Sequence, residues 1–271
     1  MQTSELSAQY YYLYHKNEFR GEDGHEKLLK LLIDHVPQEK DGMTVIGIDV
    51  GANVGKYIPD IKKICTESDH KIICIEPNPL NFDILKKMSV DKTLLFNCAV
   101  SNKNSVMPFY SYHNDNYVGN PHGGLFSHQC GKHISNVEVN TLDSIVQSVI
   151  SGTDDYVIKF VKIDTEGHDT MIIEGMSNIL PKTRYIIFEC SDCLDDFRGP
   201  GIKNPMKRIV TFLDKRGFDV YRIGTKRLLK VNGDDWDDLY EQDKFWSNCF
   251  AAKKGDPLME IIVDKNGFFK V

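Results

Sequence analysis

Short, nearly continuous apolar runs recur along the chain from Thr44 onward, with amphipathic segments between them, and this alternation limits the fold more than any other feature. The runs are Val45–Val50, Lys71–Ile75, Leu94–Val100, Val157–Ile163, Arg184–Phe188, Phe218–Ile223 and Asn248–Ala252. Most do not alternate with polar residues, so they read as strands buried on both faces, as in a parallel sheet covered by helices. The segments between them carry helical spacing: Leu142, Ile145, Val146, Val149 and Ile150 form one stripe, Ile172, Met176, Ile179 and Leu180 a second, and Met206, Ile209, Val210 and Leu213 a third. Strand–helix alternation of this kind predicts an α/β, doubly wound, seven-stranded, mostly parallel sheet. The last two runs are joined by a turn-rich acidic segment (Asn232 to Asp237), which makes the last strand antiparallel.

All seven runs are expected to belong to one domain spanning residues 44–255, flanked by a helical extension over 1–43 and a C-terminal extension over 256–271. The N-terminal extension is rich in tyrosine (Tyr10, Tyr11, Tyr12, Tyr14), and a helix is predicted from about Glu26 to Val36. Residues 106–140 interrupt the alternation with a polar stretch rich in Asn, His and Gly. It is too long for an ordinary connection and is expected to be a lid insertion. With 39 acidic and 33 basic side chains the net charge is −6, which argues against a nucleic-acid partner needing a basic face. No run approaches the length of a membrane-spanning helix, and Met1–Glu5 shows no basic segment leading into an apolar one. The 7 cysteines are odd in number, and several lie in apolar runs, so they suit a reducing compartment and a cytoplasmic location. Nothing in the pattern sets the oligomeric state.

Four strand ends carry the chemistry. The first runs Ile48-Asp49-Val50-Gly51-Ala52-Asn53-Val54-Gly55 into a helix. Its two glycines allow a tight turn close to a ligand, and the spacing is that of neither the G-x-G-x-x-G dinucleotide turn nor the phosphate-binding loop. This suits a cofactor without a pyrophosphate. The second ends in Ile75-Glu76-Pro77-Asn78-Pro79, which puts Glu76 where doubly wound folds hold a ribose diol. Capping of the following helix is the plainer role open to it. The third ends in Asn97-Cys98-Ala99-Val100-Ser101, small residues against which a flat ring can lie. A fourth segment, Lys162-Ile163-Asp164-Thr165-Glu166-Gly167-His168-Asp169, gathers charges of one parity at a strand tip.

These pieces, with Asn140-Thr141-Leu142-Asp143 and Glu174-Gly175, occur in order and together resemble the FkbM-type methyltransferases over about residues 44–190. The resemblance implies the class I, Rossmann-like methyltransferase fold and S-adenosylmethionine (SAM) as cofactor. It places Asp49, Gly51, Asn53 and Gly55 along the methionine part, Glu76 on the ribose, and Asn78, Cys98 and Ala99 at the adenine. Asp164 would face the amino-acid end or the acceptor. The implied reaction is methyl transfer to a hydroxyl of a sugar, glycan or related small metabolite. The family's Gly/Ser-rich segment is here the more histidine-rich Asn120-Pro121-His122-Gly123-Gly124.

Alkylating a hydroxyl requires alignment and an acceptor for its proton. Candidate catalytic residues are Asp164, Glu166 and His168, with His122 and His128 from the lid. Asp164 and Glu189, at adjacent strand tips, form a candidate site for a divalent metal such as magnesium. The C-x-x-C of Cys190 and Cys193 and the C-x-x-H of Cys130 and His133 could together hold zinc only if they met in space. Two other functions compete: a nicotinamide-dependent oxidoreductase, which has the acid but the wrong glycine spacing, and a non-catalytic SAM-fold binding protein, against which the intact set of polar strand ends stands. Amino methylation of nucleic acid would want a Pro-Pro-aromatic motif where Ile163-Asp164-Thr165-Glu166 stands.

Overall fold

The computed structural model describes residues 12, 15–19, 21, 23–88, 91–111, 123–125, 132–150, 155–190, 206–242 and 247–270. Two compact units divide the chain: residues 37–189 make up the described part of one, and those up to 36, Cys190 and 206–270 that of the other.

In the first unit the long apolar runs become strands β1 (Thr44–Val50), β2 (His70–Ile75), β3 (Thr93–Phe96), β8 (Tyr156–Ile163) and β9 (Thr183–Cys190). They pair in parallel in the order β9-β8-β1-β2-β3. Every residue of β1 and β8 is buried, which is why their sequences show no alternation. From β1 the chain builds outward through β2 and β3 and later returns to the other side of β1 with β8. The order therefore reverses between β1 and β8, and a crevice opens beyond their carboxyl ends.

The helices that accompany these strands include Ile58–Ile64, Pro79–Met88, Leu142–Val149 and Asp169–Glu174. Thr141 caps Leu142–Val149 by accepting a bond from the Ser144 N–H at 3.1 Å. Asp143 accepts from the Asn178 and Ile179 N–H groups at 2.9 and 3.1 Å, tying that helix to the chain entering β9. The stripe Ile172, Met176, Ile179 and Leu180 is buried as expected, although the helix under it stops at Glu174.

Two expectations are corrected in this unit. The run Leu94–Val100 is not one strand: β3 stops at Phe96, and Ala99–Val100 forms β4 in a different sheet. At the break, the Asn97 side chain donates to the carbonyls of Glu76 and Pro77 at 2.8 and 3.3 Å. Nor is the interval 106–140 simply a loop, since its described residues lie mostly in β5 (Ser105–Ser111), β6 (Gly123–Gly124) and β7 (Lys132–Asn140). With β4 they make a four-stranded sheet in the order β4-β7-β5-β6, whose small core is Ala99, Phe109, Leu125, Val137 and Val139.

In the second unit β10 (Phe218–Ile223) lies between β11 (Leu228–Lys230) and β12 (Ser247–Lys253), antiparallel to both. Leaving aside the β4–β7 sheet, the described residues of the two units therefore hold eight strands in mixed orientation rather than seven, the addition being the three-residue β11. Helices Asp23–His35 and Met206–Asp214 belong to this unit. So does the fully buried Arg222, whose guanidinium donates to Ser247 Oγ and to the Tyr240 carbonyl, both at 3.2 Å. Among the described residues no helix is long and apolar enough to cross a membrane.

Candidate active site

The tips of β1, β2 and β8 are bound to one another by backbone hydrogen bonds. Gly51 and Ala52 N–H both donate to the Ile75 carbonyl at 3.0 Å, and Asp164 N–H donates to the Val50 carbonyl at 3.1 Å. Gly51 has φ +75°, and a Cβ there would run into the Asp164 carbonyl, so only glycine fits. Asn53 follows at φ +50°, a conformation asparagine tolerates better than most residues.

That turn aims the Asn53 N–H at Glu76. Glu76 Oε2 accepts from it at 2.8 Å, and Oε1 accepts from the Asn78 N–H at 2.9 Å. An ionised carboxylate has about four lone-pair sites, so two remain for a vicinal diol. Glu76 is buried at the edge of a cleft lined by the tips of β1, β2 and β8 and by residues of the second sheet.

Of the expected cofactor residues, Gly51, Asn53, Glu76, Asn78, Cys98 and Ala99 line this cleft. Burial raises the Cys98 pKa, so its thiol stays protonated and acts as a small apolar neighbour. The expected catalytic residues Asp164, Glu166 and His168 line the cleft as well. Asp49 and Gly55 do not. Asp49 is fully buried against Lys162, and Gly55 packs against Ile58 and Leu85.

Two parts of the wall were not expected from the sequence. Asn81 lines it, one helical turn after Asn78, a spacing that could have singled it out. Phe109, Gly123, Gly124 and Leu125 of the second sheet line it too. Gly123 lets β6 lie on the Phe109 ring, since a Cβ would come within 2.9 Å of Cζ. No periodic signal in that polar stretch pointed to an apolar wall.

Electrostatics separate the titratable groups. Burial lowers the His168 pKa to about 4, so its imidazole is neutral at ordinary pH, with Nε2 2.8 Å from Ser101 Oγ. Burial, reinforced by the Asp164 charge, raises Asp169 to about 6. Asp169 accepts from Thr165 Oγ1 at 2.8 Å and from the Glu189 N–H at 3.0 Å, linking the β8 turn to β9. Glu166 and Gly167 take φ values of +56° and +101°, so two consecutive left-handed residues sit between Asp164 and His168. Strain of this sort is often kept where function requires it.

Burial also raises Glu76, only partly offset by its two N–H donors, from its ordinary 4.5 to about 7. The ligand-free fold thus holds this proton more tightly than the unfolded chain, and Glu76 costs the fold stability as pH rises from about 4.5 towards 7. A diol donating to the carboxylate favours its ionised form, so a ribose-bearing ligand should bind several-fold more tightly at pH 8 than at pH 6. Titration with S-adenosylhomocysteine (SAH) across that range checks this, and Glu76→Gln should flatten the profile. A flat wild-type profile would refute it.

Of the expected metal pair, Asp164 lines the cleft and Glu189 does not, and the Lys162 ammonium lies 3.3 Å from Asp164 Oδ2. Among the described residues no three or more His, Cys, Asp or Glu side chains gather in a way that could hold a metal ion. Cys130, Cys193, His122 and His128 lie outside the described residues. Cys190 is a buried thiol, and His133 is exposed on β7.

A crevice at the β1/β8 reversal, a glycine turn without a pyrophosphate spacing and a buried acid at the β2 tip define an α/β fold of the methyltransferase type. The match is specific enough to go further: the chain belongs to the methyltransferase FkbM domain family, which matches residues 49–220. No curated protein sequence matches significantly. Among solved structures the chain is similar to methyltransferase FkbM from Methylobacillus flagellatus KT, at 13% identity and TM-score 0.44 over 80% of this chain and 45% of that one. It thus spans less than half the length of that relative. It is also similar to Aeropyrum pernix fibrillarin with natively bound SAM (10% identity, TM-score 0.40, 84% and 74% covered). A third is the N-terminal domain of human METTL16 in complex with SAH (12%, 0.36, 86% and 69%).

Proposed function

We propose that the protein is a SAM-dependent O-methyltransferase acting on a hydroxyl of a sugar, glycan or related small metabolite. The observation that carries the cofactor reading is Glu76, with both oxygens oriented by the Asn53 and Asn78 N–H groups and lone pairs left over at the cleft edge. Cys98, Ala99 and Phe109 supply apolar surface for a flat base, with Asn81 as a polar neighbour. When bound, SAM supplies an electrophilic methyl group on a sulfonium.

The chain's task is then alignment and proton acceptance. The β8 turn offers two groups for the hydroxyl proton: the Glu166 carboxylate, and the His168 imidazole, which is neutral above about pH 4. Ser101 fixes the orientation of that imidazole. A neutral, hydroxyl-rich acceptor suits a cleft whose charged side chains are mainly carboxylates. The acceptor class itself rests on the family resemblance.

Calorimetry with SAM and SAH is expected to show binding of both, with Glu76→Ala weakening each at least tenfold, about 1.4 kcal/mol. Labelled methyl transfer to a panel of free and nucleotide-linked sugars, with and without a chelator, should then place the label on a hydroxyl. No heat with either ligand would refute the cofactor reading, and label on nitrogen alone would refute the acceptor class.

A further inference from the structure

The β1/β8 pairing sets a lysine between two carboxylates. Asp49 and Lys162 are directly opposed in register, and Asp164 follows two residues later. Lys162 Nζ lies 3.4 Å from Asp49 Oδ1 and 3.3 Å from Asp164 Oδ2, and 4.5 Å from the centroid of the Tyr57 ring. The three groups run from interior to cleft: Asp49 is 0% exposed, Lys162 3% and the Asp164 side chain 47%. Burial alone would pull the ammonium's pKa down, but Asp164 and Asp49 outweigh it and the net direction is upward, so the lysine is charged.

Neutralising Asp49 would need only one of these contacts, yet the ammonium is shared almost evenly. The Asp164 backbone is already fixed, by its N–H to Val50 and by Gly51 against its carbonyl. Its side-chain torsions are the remaining freedom, and Lys162 holds them.

We propose that Lys162 is a positioning residue: it orients the Asp164 carboxylate to receive the α-ammonium group of the cofactor's amino-acid end. The proposal rests on the reading of the cleft as a SAM site. Two carboxylates and one ammonium leave the trio with one net negative charge, matched to one ammonium. Lys162 sits below the carboxylate, so its own charge acts on Asp164 from the buried side.

The test separates orientation from charge and from fold. In Asp49→Asn/Lys162→Met both buried charges go together while the net charge of the trio is kept, and removing both partners of a buried pair is often nearly neutral for stability. This variant is expected to melt close to wild type and to bind 5′-methylthioadenosine, which lacks the amino-acid end, with unchanged affinity. It should bind SAH about fivefold to tenfold more weakly. Asp164→Ala, which leaves the buried pair intact, should lose at least as much SAH affinity and none for methylthioadenosine, and it carries the test should the double variant fail to fold. SAH bound as tightly as by wild type in either folded variant would overturn the proposal. Wild type binding neither ligand would overturn the cofactor reading itself.

Discussion

Gly51→Ala is expected to lose at least about 3 kcal/mol of stability and to abolish SAH binding. A left-handed conformation costs an L-residue about 1–2 kcal/mol, and φ at Gly51 is +75°. The larger part is steric. The new Cβ meets the Asp164 carbonyl, which is backbone and cannot swing aside. Relief would require parting the tips of β1 and β8, which breaks the Asp164 N–H bond to Val50 and draws Gly51 and Ala52 off the Ile75 carbonyl. Asn53 would then no longer present its N–H to Glu76. A melting midpoint lower by about 6–12 °C, with no calorimetric signal for SAH, is the expected result.

Gly55→Ala is the control for that argument. Its φ is also positive, +91°, but the Cβ would meet Ile58 Cδ1 and Leu85 Cδ1 at 3.0 and 3.1 Å, both ends of flexible side chains. Gly55 does not line the cleft, so about 1–2 kcal/mol of stability should go while SAH affinity stays within about twofold. Equal loss of binding in the two variants would show that the turn acts as a unit and that the Gly51–Asp164 approach is not its determinant.

That the two glycines differ could not be read from their spacing. Sequence reveals a turn through its small residues, but which strand passes behind each glycine is a tertiary fact. The buried strands were legible because β1 and β8 are covered on both faces and must be apolar throughout. β7 was not legible, because its sequence KHISNVEVN is mostly polar and only Val137 and Val139 are buried. Such a strand looks like loop, and with it went the apolar wall of Phe109 and Leu125. The break after Phe96 was hidden for the opposite reason: Asn97 sits inside an apolar run, and only the carbonyls it bonds at Glu76 and Pro77 show that the chain changes sheet there. Glu76 was legible because a lone acid ending an apolar strand is costly unless something uses it. Its two backbone donors were not, since they depend on the path of the glycine turn.

Lys162→Met alone should be more damaging than the double variant that contains it. The single change leaves Asp49, 0% exposed, without the ammonium 3.4 Å away. Removing one member of a buried ion pair typically costs about 3–5 kcal/mol, because the remaining charge stays in the interior without its counter-ion. Methionine fills much of the lysine's volume, so little of the loss should come from a cavity. The pH dependence identifies the cause. A buried carboxylate deprived of its counter-ion is relieved by taking up a proton, so the deficit against wild type should shrink as pH falls from 8 towards 5. A packing defect would cost the same at both. Adding Asp49→Asn should restore most of the stability, the opposite of what two independent lesions would do. Denaturant melts of wild type, Lys162→Met, Asp49→Asn and the double variant at two pH values measure all of this. A single variant within about 1 kcal/mol of wild type at pH 8 would mean that Asp49 does not depend on Lys162, and the chain of charge from the core to the cleft would lose its inner link.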